Sequence, residues 1–246
     1  MAPLQQMPPI SLSQQELTRF GTRWTTNGGA LKRSRPESSM EFGKLFDAAV
    51  AASLSAMLGG IEIKTPGRTA LTPPKPDCLE IGDVRIIGGV RPQNFDIGYR
   101  PDGVRIAYDS KTLNDSKSVR KNYQNMINDL ATEATTVHSR FPYALFIFLV
   151  VVPAPCLRGS IEAALTLTLE RLAQRELFSD PAHLAEAAAL VVWDPATGAI
   201  LPDRPAVTSN LRLELLHSQI ERIYRDRYKG LPPHIEAPEE EEEAVD

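Results

Sequence analysis

Residues 94–111, NFDIGYRPDGVRIAYDSK, decide how this chain folds. Apolar and polar residues alternate on both sides of a central tetrapeptide, RPDG, whose proline and glycine stand where a type I turn accepts them. The pattern predicts two strands, Phe95–Tyr99 and Val104–Tyr108, joined as a hairpin. Because side chains of a strand alternate between its two faces, Asp109 and Lys111 are expected to share a face.

Periodicity predicts further elements on both sides of this hairpin. Helices are expected at Ser11–Trp24, Met40–Leu58, Ser116–Ser139, Ser160–Leu177 and Asn210–Tyr228. Further strands are expected at Ile61–Lys64, Val84–Ile87, Ala144–Val152 and Ala189–Trp193. Strands followed by crossover helices favour an α/β fold with a central mixed β-sheet flanked by helices on both faces.

Composition divides the chain into three parts. Residues 1–39 are expected to form an N-terminal extension with a short helix and a basic linker, residues 40–230 one domain, and residues 231–246 a disordered acidic tail. The linker carries Lys32, Arg33 and Arg35. Seven of the 31 acidic residues lie in 236–246, which leaves 27 basic and 24 acidic residues in 1–235. The tail is interpreted either as a solvated segment or as a competitor of nucleic acid for a basic cleft.

The cysteine count and the apolar runs indicate the compartment. Two cysteines, Cys78 and Cys156, cannot form a disulfide framework, which favours a reducing compartment. The first ten residues lack the pattern of a signal peptide, and the longest apolar run, Tyr143–Val152, is too short for a membrane-spanning helix. We therefore expect a cytoplasmic protein without a membrane partner.

The acidic residues of the hairpin carry a resemblance to a known family. Asp96 on the first strand, followed by Asp109-Ser110-Lys111 on the second, resembles the PD-(D/E)XK nuclease superfamily, and within it the type II restriction endonucleases. The family core is a helix, a three-stranded meander, a helix and a strand, and residues 40–152 are predicted in that order. Asn94-Phe95-Asp96 stands in place of the usual Pro-Asp pair. The resemblance implies a restriction-endonuclease-like core.

The resemblance also implies a metal site. Asp96, Asp109 and the main-chain carbonyl of Ser110 would bind Mg²⁺, which prefers oxygen ligands, and Lys111 would lie beside the attacking water. Glu41 has two interpretations: a further site residue on the first helix, or part of a capping box in which it returns to the main-chain N–H of Ser38. The alternative for the whole motif is a surface hairpin with a weak exposed ion pair.

Basic and amide residues follow the motif on the next helix. Lys117, Arg120, Lys121 and Gln124 are predicted to contact DNA phosphates, and a solvated helix face is the alternative. The resemblance therefore predicts a Mg²⁺-dependent endodeoxyribonuclease that cuts double-stranded DNA as a homodimeric type II restriction enzyme. The alternatives are a defence effector, a resolvase or a repair nuclease of the same fold, or a non-catalytic nucleic-acid-binding module.

A shared metal site requires a particular strand register. Asp96 and Asp109 point to the same side of the hairpin only if even-numbered residues of the first strand oppose odd-numbered residues of the second. That register requires a loop with an even number of residues. A three-residue loop with a bulge at Gly103 would place Phe95 opposite Asp109 and direct Asp96 to the other face.

Overall fold

The computed structural model describes residues 3–31, 37–117 and 119–234, with only the main chain described for Glu37 and Arg120. The predicted basic linker, with Lys32, Arg33 and Arg35, and residues 235–246 of the predicted tail lie outside these ranges. Residues 231–234 of that tail are described, and His234 is buried. None of the helices in the described ranges is both long and apolar enough to cross a membrane.

The described residues form one six-stranded mixed sheet in which the strands lie in chain order. Its strands are β1 (Ile63–Lys64), β2 (Leu79–Ile87), β3 (Pro92–Tyr99), β4 (Ile106–Thr112), β5 (Leu145–Pro153) and β6 (Ala187–Trp193). The β2–β3 and β3–β4 pairs are antiparallel, and the β1–β2, β4–β5 and β5–β6 pairs are parallel. The chain therefore has the predicted α/β class and a mixed sheet.

Five α-helices accompany the sheet in the described ranges. They are α1 (Gln14–Thr26), α2 (Glu37–Met57), α3 (Val119–His138), α4 (Ile161–Leu172) and α5 (Leu213–Tyr228). Strand β4 determines which face two of them cover. Its even-numbered residue Ser110 faces α2, since a Cβ added to Gly43 would lie 3.8 Å from the Ser110 Oγ. Its odd-numbered residue Lys111 faces α3, where it pairs with Glu133. Helices thus cover both faces, as predicted.

The two strands after the hairpin form the centre of the core. Every residue of β5 and β6 is buried, because helices cover both of their faces, and this agrees with their continuous apolar sequences. Helix α1 packs into the same core through Phe20, whose ring centroid lies 5.1 Å from that of Phe42 on α2. Met7 is also buried, and its main-chain N–H donates to Glu221 Oε2 at 2.8 Å, so the segment before α1 packs against α5.

Two element boundaries differ from the predicted ones because residues at these boundaries contact groups that are distant in sequence. The helix expected to reach Leu177 ends at Leu172, because Arg175 turns inward and its main-chain N–H donates to the carbonyl of Ala185. The turn expected at residues 100–103 is instead a six-residue loop, 100–105. Arg100 leaves the turn and forms a buried pair of hydrogen bonds, each 2.6 Å long, with both carboxylate oxygens of Glu80.

Candidate active site

The hairpin strands separate at the predicted acidic residues. Main-chain pairing of β3 with β4 covers Tyr99–Ile106, Gly98–Ala107 and Ile97–Tyr108, and it stops there although both strands continue. Even-numbered residues oppose odd-numbered ones, so the predicted register is confirmed, and it places Asp96 opposite Asp109. The loop between the strands has six residues, the even number that this register requires.

The Asp96 carboxylate lies in the gap between the two diverging strands. Its Oδ2 accepts hydrogen bonds from the main-chain N–H of Ser110 (2.8 Å) and from the Ser110 hydroxyl (3.1 Å). A strand N–H lies in the plane of the sheet, so this carboxylate takes the place of the next β3 carbonyl. Burial raises the pKa of Asp96, and the Ser110 hydrogen bonds oppose that rise.

Lys111 links β4 to a second acid on α3. Its Nζ lies 2.5 Å from Asp109 Oδ2 and 3.0 Å from Glu133 Oε1. Burial alone would lower the pKa of Lys111, but the two carboxylates outweigh burial and raise it, so the ammonium form is retained. Burial raises the pKa values of Asp109 and Glu133, and Lys111 opposes both rises. The site therefore lies in a region where carboxylate charge is disfavoured.

A further acid, Asp47 of α2, approaches the same point from the opposite face of the sheet. Burial raises its pKa to about 8; the nearby charge of Asp96 adds to the rise, and the hydroxyls of Ser110 and Tyr108 oppose it. Asp47 Oδ1 is buried and makes no hydrogen bond to any residue in the described ranges. The ends of β3 and β4 thus bring together four carboxyl groups and one lysine.

Glu41 does not join this cluster. Its Oε2 lies 3.4 Å from Nη1 of Arg23 on α1, and its side chain is about a third exposed. The predicted capping box is wrong, because α2 begins at Glu37 and Ser38 therefore lies within the helix rather than before it. On α2 it is Asp47 that faces β4.

The predicted DNA-contacting residues lie at the start of α3, whereas the acid that α3 contributes to the site, Glu133, lies towards its other end. Lys117, Lys121 and Gln124 are exposed, and the side chain of Arg120 lies outside the described residues. Lys117 lines a cavity of about 630 Å³ together with Arg158 from the turn after β5. Gln124 and Arg158 line a neighbouring cavity of about 500 Å³. This surface is basic and open, which suits a polyanion.

Three residues of this region escaped the sequence analysis: Asp47, Glu133 and Arg158. Two of them carried a signal, an acid on an apolar helix face. Asp47 stands four residues before the buried Ala51, and Glu133 three residues after the buried Leu130. Arg158 carried none, because only the fold brings the turn after β5 next to α3.

The donor atoms of this cluster are of the kind that Mg²⁺ takes. Asp96 and Asp109 offer carboxylate oxygens on one side of the hairpin, and the four acids outnumber the one lysine. Among the described residues, no group of three or more His, Cys, Asp or Glu side chains is arranged to hold a metal ion. A magnesium ion here would thus rely on the two aspartates, a main-chain oxygen and water, and Mg²⁺ usually keeps several waters.

Comparison with protein-family models, curated proteins and solved structures found no significant match to this chain.

Proposed function

We propose that this protein is a Mg²⁺-dependent endodeoxyribonuclease with a restriction-endonuclease-like core, similar to the PD-(D/E)XK superfamily. The observation that supports the proposal best is the convergence of Asp96, Asp109 and Lys111 where β3 and β4 diverge. A surface hairpin with an exposed ion pair would not bury its acids, but Asp109 is 6% exposed and lies in a cluster of four carboxyl groups. Such a cluster is typical of a functional site.

Each residue of the site has a proposed role. Asp96, Asp109 and the main-chain carbonyl of Ser110 would hold the ion. When bound, Mg²⁺ stabilises the negative charge that builds on the phosphate and makes its bound water more acidic. The ammonium group of Lys111 offsets the same developing charge without being a ligand. The Ser110 N–H fixes the Asp96 carboxylate, so that this ligand is oriented before DNA arrives.

The substrate of this proposal is double-stranded DNA. Lys117, Gln124 and Arg158 line two cavities at the start of α3, which leave room for a phosphate backbone, and Lys121 is exposed on the same helix. We further propose a homodimer, because cutting both strands of a palindromic site takes two active centres. The cytoplasm stays the predicted compartment.

The test is digestion of DNA of known sequence with the ends mapped, in Mg²⁺ and in EDTA. Discrete fragments that depend on Mg²⁺ would support a sequence-specific restriction enzyme. Mg²⁺-dependent cutting without defined ends would support an unspecific nuclease of the same fold, such as a defence effector. DNA binding with no cutting under any divalent ion would overturn the enzyme proposal in favour of a non-catalytic nucleic-acid-binding module.

A further inference from the structure

Glu133 occupies a position on α3 that belongs to the core. It is 3% exposed, and its neighbours on the same helix face, Leu130 and Ala134, are buried. Its Oε1 accepts from Lys111 Nζ at 3.0 Å and from Gln93 Nε2 at 3.3 Å. Its Oε2 is buried without a hydrogen-bond partner among the described residues. Burying a carboxylate this far costs free energy unless a positive charge compensates it, and Lys111 supplies that charge.

Lys111 has two partners that differ in one respect. Asp109 stands on the same strand, two residues away, and is a proposed metal ligand. Glu133 stands on a different element, α3, and its carboxylate is also held by Gln93. A divalent cation on the Asp109 carboxylate would repel an ammonium group that lies 2.5 Å from the same oxygen. Lys111 would then give up Asp109, and Glu133 is the partner that remains.

We propose that Glu133 is a positioning residue that keeps the Lys111 ammonium in the site when a divalent cation occupies Asp109. This inference rests on the proposed function. Lys111 is a flexible side chain that is a quarter exposed. Without Glu133, the ammonium displaced from Asp109 turns towards solvent and loses its place beside the scissile phosphate. Glu133 contacts neither metal nor DNA in this role.

The direct test observes the ammonium group itself, without DNA or turnover. A held lysine ammonium exchanges its protons slowly enough to give a ¹⁵N–¹H NMR signal, whereas a solvated one does not. The chain has eight lysines, and the Lys111 signal is assigned by its loss in Lys111→Arg. Spectra of the wild type and of Glu133→Gln are recorded while Mg²⁺ is added. Gln93→Ala is the matched control, because Gln93 contacts Glu133 but not Lys111.

We expect the Lys111 signal in both proteins before Mg²⁺ is added. With saturating Mg²⁺ the signal should shift but persist in the wild type and in Gln93→Ala, and it should disappear in Glu133→Gln. The wild-type spectra test the proposal even if Glu133→Gln fails to fold. In cleavage assays, kcat of Glu133→Gln should fall about 10–100-fold, while the Mg²⁺ concentration for half-maximal rate changes much less.

The outcomes separate this inference from the proposed function. If the wild type cuts DNA but loses the Lys111 signal in Mg²⁺, or if Glu133→Gln keeps it, Glu133 does not hold the lysine. A signal missing from Glu133→Gln before Mg²⁺ is added would also contradict the proposal, because Asp109 should still hold Lys111 in the absence of the ion. If Mg²⁺ changes no spectrum and no DNA is cut, both the inference and the proposed function are wrong.

Discussion

At the scale of single residues, the site contains four carboxyl groups and only one lysine among the described residues. Asp109 and Glu133 share Lys111, Asp96 depends on hydrogen bonds from Ser110, and Asp47 has one oxygen without a partner among the described residues. Burial raises the pKa of each of these carboxyl groups. In the proposed function, a bound cation would supply the positive charge that Lys111 alone does not provide for four carboxyl groups.

Asp47 should make the stability of the protein depend on pH. The pKa of Asp47 is near 3.8 in the unfolded chain and about 8 in the folded protein. Between these values the unfolded state ionises and the folded state does not, so stability falls as the pH rises, by up to about 1.4 kcal/mol per pH unit. Asp47→Asn has no carboxyl group at this position, so its stability does not fall with rising pH for this reason. Urea unfolding should find it equal to the wild type at pH 4 and more stable at pH 8.

The control for this prediction is Asp226→Asn, which changes an exposed acid on α5 and should follow the wild type at each pH. A stability difference between Asp47→Asn and the wild type that stays constant from pH 4 to pH 8 would contradict the proposed cause.

Lys111 and Glu133 should be energetically coupled. Lys111→Met leaves two buried carboxyl groups without their shared cation, and we expect it to lower the free energy of unfolding by about 3–5 kcal/mol at pH 8. Adding Glu133→Gln removes one of the uncompensated charges. The double variant should therefore be more stable than the sum of the single effects predicts, by about 0.5–3 kcal/mol.

Urea unfolding of the four proteins gives this coupling free energy. Lys121→Met, an exposed lysine on α3, is the control and should change stability by no more than about 0.5 kcal/mol. Additive single effects would show that Lys111 and Glu133 act independently.

At the scale of elements, sequence patterns correctly predicted the features that depend on interactions between residues near in sequence. The apolar runs of β5 and β6 predicted fully buried strands, and the parity of the hairpin predicted the register of β3 with β4. The end of α4 and the length of the hairpin loop escaped, because Arg175 and Arg100 bind groups far away in sequence. In the site, the sequence placed two acids and a lysine correctly on one strand pair. It could not bring Asp47 and Glu133 there, since tertiary packing alone does so.

The turn between β2 and β3 fixes the position of α3 and so of Glu133. A Cβ added to Gly88 would lie 2.3 Å from the main-chain oxygen of Thr136, one helical turn from Glu133. Gly88→Ala should therefore push the turn away from α3 and lower the free energy of unfolding by about 1–3 kcal/mol. Gly67→Ala is the matched control, because its Cβ would meet nothing closer than 3.6 Å. Equal stability of the two variants would contradict this packing constraint.

At the scale of the whole molecule, the pairing of the described sheet opens between β3 and β4, and the acids converge at that gap. Strands β1–β3 pair on one side and β4–β6 on the other, and the two groups are joined by only three residue pairs between β3 and β4. Helix α2 reaches the gap from one face and α3 from the other, each with a buried acid. Lys117 and Arg158 line a cavity at the start of α3. The proposed cation site thus lies in the gap between β3 and β4, and the proposed DNA-binding surface lies at the start of α3.

Replacing Mg²⁺ by Ca²⁺ should separate DNA binding from cutting. Ca²⁺ is larger, takes more ligands and tolerates looser geometry, so it offsets the charge of the acids without positioning water for attack. Fluorescence anisotropy with a labelled duplex should find binding in Ca²⁺, while gel electrophoresis of the same samples finds intact DNA. Turnover in Ca²⁺ equal to that in Mg²⁺ would count against the proposed mechanism.

The most direct test of the central claim is a plasmid-cleavage assay that compares the wild type with Asp109→Asn in Mg²⁺. Asparagine keeps the shape of the side chain but removes the charge that would bind the ion. We predict that the wild type and Asp226→Asn convert supercoiled plasmid to nicked and linear forms. Asp109→Asn should bind the same DNA and cut it no faster than background. Cutting by Asp109→Asn at the wild-type rate would show that the cluster at the β3–β4 gap is not the active site.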